Sequence, residues 1–253
     1  MIVIFNNEFY NTSYADDNAA SSGRIESIIN ALSEDNSIQI INSGQADISY
    51  IQAVHTQSHI ESVQRTKAYN TALYAAGVAI KAADTALNGT ASFACVRPPG
   101  HHANKGFSWG HCYFNNMAIS LTKLRNENRI ESAYILDFDA HTGDGTINCL
   151  REFQNFYIQN PMADNREQYL KDIDNYTKEL PKVDIIAVCA GFDSYIHDVG
   201  RKLLTFDYYA IGKKMQLLAK KMGHNRRFGV LEGGYYIPDL GKNVLAFCQG
   251  LDD

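Results

Sequence analysis

The 253-residue chain is 45% hydrophobic and 20% charged, which suits one soluble α/β domain over residues 1–253 with a full core. No Pro-, Gly- or Ser-rich linker, internal repeat or low-complexity tract divides it. A net charge of -5 and a pI near 5.9 argue against nucleic acid as a direct partner. No run approaches the ~18 apolar residues of a membrane span. Cys95, Cys112, Cys149, Cys189 and Cys248 form no CxxC pair, and Met1–Phe5 lacks the basic start of a signal peptide. A reducing, cytoplasmic setting is expected.

In chain order, apolar runs predict strands at Ile2–Phe5, Ser92–Val96, Ser132–Phe138, Val183–Cys189 and Phe228–Leu231. Helical periodicity predicts helices at Arg24–Leu32, Thr71–Leu87, Met117–Arg125, Gln168–Leu180, Tyr208–Met222 and Leu240–Gly250. The alternation implies an α/β fold, a mostly parallel sheet with helices on both faces. Four of the strands run into polar, Gly-rich segments: Arg97-Pro98-Pro99-Gly100-His101-His102, Asp139-Ala140-His141-Thr142-Gly143-Asp144-Gly145, Ala190-Gly191-Phe192-Asp193 and Glu232-Gly233-Gly234-Tyr235. In a parallel sheet these converge at the carboxyl ends of the strands, where ligands bind.

The chemistry of these segments points to a metal. Asp137, Asp139 and His141 alternate, so a strand continuing through them would present all three on one face. Asp139 and His141, joined by Asp193 from another strand end, make a three-ligand O/N set of the kind that leaves one position open for catalysis. His101 and His102 follow Pro-Pro-Gly at a third strand exit, and Asp137 and Asp144 supply carboxylates that can fix an imidazole for proton transfer. Tyr235 offers a phenol to a developing oxyanion.

The run Phe93-Ala94-Cys95-Val96-Arg97-Pro98-Pro99-Gly100-His101-His102-Ala103 resembles the RPPGHHA signature of class II histone deacetylases and their bacterial relatives, the histone deacetylase / acetylpolyamine amidohydrolase family. Similar matches follow, in the family order, at Cys112–Asn116, Asp137–His141 with Gly143–Gly145, Ala190–Asp193 and Leu231–Tyr235. The resemblance implies the arginase–deacetylase fold and a zinc-dependent deacylase. It implies zinc ligands at Asp139, His141 and Asp193, tandem histidines at His101 (with Asp137) and His102 (with Asp144), and a carbonyl-polarising Tyr235. It also implies a structural monovalent cation, potassium, on the Asp137–His141 segment. The substrate class is an acylated amine, either a lysine side chain or a small molecule such as an acetylpolyamine; oligomeric state is left open.

Departures fall at the mouth of the implied site. Beside Gly110, His111 stands where relatives put an aromatic of the substrate tunnel, which makes Gly110 and His111 candidate substrate contacts. Residues 63–75 leave no room for the usual rim loop with its substrate-binding acid, and the tunnel loop between Thr146 and Val183 is short. A wider, more polar entrance is expected, unless a partner subunit or the unmatched segment Asn6–Ser22 rebuilds the wall. Two other readings compete. A ureohydrolase of this fold needs a further Asp where Gly143 stands and another beyond Asp193, where Ser194-Tyr195 follows. A degenerate binding module is opposed by the intact ligands, histidines and tyrosine.

Overall fold

The computed structural model describes all 253 residues. Seven strands, β1 (Ile2–Phe5), β2 (Gln39–Asn42), β3 (Ser92–Ala94), β4 (Ala133–Asp137), β5 (Phe156–Gln159), β6 (Ile185–Ala190) and β7 (Arg227–Leu231), form one sheet in the order β2-β1-β3-β7-β6-β4-β5. Every neighbouring pair is parallel. The helices are α1 (Arg24–Ser33), α2 (Ile48–Gln52), α3 (Gln57–Gln64), α4 (Tyr69–Leu87), α5 (Asn116–Asn126), α6 (Asp144–Leu150), α7 (Arg166–Glu179), α8 (Thr205–Lys221) and α9 (Ile237–Asp252).

The central strands owe their place to composition. All six residues of β6, Ile-Ile-Ala-Val-Cys-Ala, are buried, as a strand covered on both faces requires. The helices flank the sheet in two packed groups, α4 with α5 and α1 with α8 and α9. Ile25, Ile28 and Leu32 recur at helical spacing on α1 and are fully buried. No helix is long and apolar enough to cross a membrane.

The predicted elements are all present, with ends shifted by a few residues. The short helices α2, α3 and α6 are additions, as are β2 and β5, which lie at the sheet edges, where a half-covered strand of four residues carries little pattern. One expectation is corrected. β4 ends at Asp137, so Asp139 and His141 belong to the loop before α6 and are not aligned by strand alternation. The sheet order explains why the site assembles anyway. β3, β7, β6 and β4 are consecutive neighbours, so their four carboxyl-end segments lie side by side.

Candidate active site

The tandem histidines are held from both ends. Gly100 and His101 donate their backbone N–H groups to Glu232 Oε2, at 2.7 and 3.1 Å, which ties the exit of β3 to that of β7. His101 Nδ1 lies 3.1 Å from Asp137 Oδ2, and His102 Nδ1 lies 2.7 Å from Asp144 Oδ1. Both histidines and Asp137 are buried. Asp144 sits in the first turn of α6 and also accepts from Asn104 Nδ2 at 2.8 Å and from the Trp109 indole N–H at 3.1 Å. The Trp109 ring stacks on His102, with centroids 3.8 Å apart and planes at 29°.

Asp139, His141 and Asp193 form a separate cluster whose ligand-capable atoms all lie within 4.8 Å of one another. His141 Nδ1 is 3.0 Å from Asp139 Oδ1 and 3.1 Å from Asp193 Oδ2. One ring nitrogen with one proton cannot serve two carboxylates well, and Asp193 Oδ2 is buried with no aligned donor. A cation satisfies all three acceptors, so the donor set fits a divalent metal. The other carboxylate oxygens are spent on the backbone. Gly233 N–H donates to Asp139 Oδ2 at 2.9 Å, and Ala140 N–H donates to Asp193 Oδ1 at 2.9 Å. Gly191 is required where these strand ends meet, because a Cβ there would lie 2.1 Å from Asp139 Oδ2.

The electrostatics separate the two histidines. Burial works against charge on His101, but Asp139 and Asp137 outweigh it and hold its pKa well above the ordinary value. For His102, burial and the neighbouring His101 prevail over Asp144 and bring the pKa down to about 4. Burial and Asp139 raise Asp193 to about 7, whereas hydrogen bonds donated to Asp139 and Asp193 raise His141 to about 10. Each is the behaviour of a crowded acidic cluster that still needs positive charge. Burial pushes the Tyr235 phenol above its usual range.

A cleft of about 230 Å³ brings these groups together; Asn18, His101, His102, Trp109, His111 and Tyr235 are among its walls, and Gly110, Asp139 and His141 also line it. Asp193 lies fully buried beneath it. All ten residues singled out in the sequence therefore meet at one place. The entrance is only partly as expected. The connection between α3 and α4 is indeed only residues 65–68, but the wall is not stripped of aromatics. Trp109 covers His102, and His111 packs edge-on to Tyr235 at 6.0 Å. The N-terminal segment supplies Asn18 as a lining residue and Asp17, whose Oδ2 is 3.1 Å from His111 Nδ1. Gly110, at φ 59, takes the left-handed turn that lets its backbone approach His102, with space for no Cβ there (2.5 Å).

Several supporting residues have roles that the sequence does not assign. Asp198 Oδ2 accepts from the backbone N–H of Tyr235 at 2.6 Å and of Tyr236 at 2.8 Å, which fixes the tyrosine loop. Buried Arg24 donates to Glu232 O at 2.6 Å and Gly234 O at 2.8 Å below the same loop. His55 bridges Asn104 O and Asn115 N–H, both at 2.9 Å, and so closes the 104–115 loop that carries Trp109 and His111. No motif announces these roles. They depend on partners 37 to 210 positions away.

The fold is α/β, and two His–Asp pairs flank a three-ligand cluster whose donor set fits a metal. The histone deacetylase domain profile matches residues 18–169, more than half of the chain, and the chain belongs to that family. A probable deacetylase of Methanothermobacter thermautotrophicus is 28% identical over 305 aligned positions, covering 99% of this chain and 91% of that protein. A probable deacetylase of Archaeoglobus fulgidus is 27% identical over 87% of this chain and 76% of its own length. The polyamine deacetylase HDAC10 of Mus musculus is 26% identical over 78% of this chain and 39% of its own. The crystal structure of the HDA15 HD domain superposes with a TM-score of 0.85 at 19% identity, covering 99% of this chain and 88% of that one, which shows a common fold.

Proposed function

We propose that the protein is a zinc-dependent deacylase that hydrolyses the amide of an acylated amine, with Asp139, His141 and Asp193 as the metal ligands. The observation that carries this reading is the juxtaposition, in one cleft, of an Asp–His–Asp three-ligand cluster with a His–Asp pair and a tyrosine. Membership of the histone deacetylase family and similarity to proteins named as deacetylases support the same chemistry. A divalent ion in the cluster supplies Lewis-acid polarisation of a carbonyl and acidifies a coordinated water.

The chain's own groups divide the remaining work. With Nδ1 directed to Asp144, neutral His102 keeps Nε2 free to take a proton from the attacking water and return it to the leaving amine. Its depressed pKa keeps it in the basic form at neutral pH. His101, paired with Asp137 and 3.8 Å from Asp139, holds a proton beside the acidic cluster. Tyr235 is the donor for the developing oxyanion, held by the Asp198 contacts at its backbone. Trp109 keeps His102 and Asp144 in register by stacking on one and donating to the other.

Potassium on the Asp137–His141 backbone and a cytoplasmic location remain part of this reading, on the strength of the resemblance. The test is a panel of acetyl-lysine peptides, acetylpolyamines and longer acyl-lysines on purified zinc-loaded protein. The reading expects chelator-sensitive release of a free amine from at least one class. A zinc-loaded protein inert on every class would support the binding-module alternative.

A further inference from the structure

The catalytic cleft opens sideways past Tyr235. A second pocket of about 570 Å³ is lined by His197, Asp198, Val199, Arg201, Tyr235 and Tyr236, and it shares Val199 and Tyr235 with the cleft. Its wall is a rigid loop. Gly200 N–H donates to Asp193 O at 2.8 Å, Leu203 N–H to Ser194 O at 2.8 Å and Ile196 N–H to Leu203 O at 2.8 Å. Arg201 itself has φ 48, a left-handed conformation that a non-glycine residue keeps only where neighbouring bonds impose it. The Arg201 side chain is exposed and lines the pocket.

The pocket holds one guanidinium, Arg201, and one carboxylate. Asp198 is its one carboxylate, and it is occupied by the backbone N–H groups of Val199 (2.8 Å), Tyr235 (2.6 Å) and Tyr236 (2.8 Å). Behind the aromatic wall, Asp239 is taken by Lys242 at 3.1 Å and by the Tyr195 hydroxyl at 3.1 Å. Lys202 is spent over the Tyr169 ring, 4.8 Å from its centroid. Arg201 makes no ion pair within the chain. The pocket it lines also presents an aromatic surface, with His197 packed on Tyr236 at 5.5 Å.

We propose that this pocket is a recognition subsite for a carboxylate on the amine side of the substrate, held by Arg201 beside the aromatic surface of Tyr236 and His197. The inference rests on the deacylase reading and sharpens its substrate class. The favoured substrates are acylated amines bearing a free carboxylate next to an apolar or aromatic stem, as in acylated amino acids. Acylated polyamines, which bring a cation to the same place, are disfavoured.

The test compares Nα-benzoyl-Nε-acetyl-lysine as free acid and as carboxamide, with acetylputrescine as the cationic member, on the zinc-loaded protein. A partly exposed charge pair sets the expected acid preference at about 5- to 10-fold in kcat/KM, carried mainly by KM and shrinking with salt. Arg201→Asn, which tolerates the left-handed backbone, should erase that preference, and Arg201→Glu should turn it toward acetylputrescine. Trp109, the single tryptophan of the chain, lines the cleft, so fluorescence titration with the same compounds reads binding without turnover. Hydrolysis with an unchanged acid-to-amide ratio in Arg201→Glu overturns the subsite and leaves the deacylase reading intact. Acid-selective, Arg201-dependent binding without hydrolysis of any member does the reverse.

Discussion

The floor and the rim of the cleft are built by different rules. On the floor, His101, His102, Asp137, Asp139 and Asp193 are buried and fixed by bonds among adjacent strand ends. On the rim, Trp109 and Val199 are half or more exposed, at 50% and 61%, and are positioned by loops from distant parts of the chain. Buried charge tolerates little variation, because an unpaired ionised group in the interior is costly. An exposed wall can exchange one aromatic for another, or for a contact from the N-terminus, without endangering the fold. The floor therefore carries chemistry and the rim carries substrate choice.

Substitutions on the floor should have the largest effects. The largest effect is expected from Gly191→Ala, whose Cβ would lie 2.1 Å from Asp139 Oδ2 and push a ligand out of place. Loss of the metal's contribution predicts a fall in kcat of about 10³-fold with matching loss of bound zinc. Wild-type turnover in that variant would show that Asp139 is not a ligand. Next, Tyr235→Phe and His102→Ala should each lose roughly 10²-fold or more in kcat while retaining zinc, since neither belongs to the ligand cluster. Steady-state kinetics with metal analysis on the same samples checks both halves.

Rim variants should act more gently. Trp109→Phe keeps a ring over His102 and loses the bond to Asp144, so a loss of about 3- to 10-fold is expected, in line with one hydrogen bond. Trp109→Ala removes both contacts and should lose more, with a displaced pH–rate profile that a merely structural role does not predict.

The smallest effect is one of stability. Burial, then the nearby His59, lowers His55 to about 4 from an ordinary 6.5. The folded chain therefore keeps His55 neutral where the unfolded chain takes up a proton. The stabilisation is complete above pH 6.5 and is lost as pH falls from there to about 4, amounting to on the order of 1–3 kcal/mol. His55→Gln should flatten this part of the acid-side decline. Denaturant unfolding at pH 7.5 and pH 5 would expose it as an unequal loss in wild type and variant.

Legibility in the sequence follows the same division. The central strands announced themselves through continuous apolar runs, and the floor residues through short motifs at strand exits. The edge strands β2 and β5 did not, because four half-covered residues carry no decisive periodicity. The geometry at Asp139 and His141 differs from what their spacing implies. Spacing by two suggested a shared strand face, whereas a loop tied to Gly233 and Asp193 brings them together. Asp198, His55 and the Asp17–His111 contact stayed invisible, since each is defined by a partner far along the chain. Trp109 was equally silent, because nothing in Ser108-Trp109-Gly110 says which ring the indole will cover.

Asp139, His141 and Asp193 are proposed to form one catalytic divalent site. Elemental analysis of wild type and Asp193→Ala, after zinc loading and removal of loosely bound metal, tests it most directly. The account predicts one tightly held zinc per wild-type chain and none in Asp193→Ala, with hydrolysis lost in step. Two catalytic metal ions per chain, or a variant that keeps both its zinc and its activity, would contradict it.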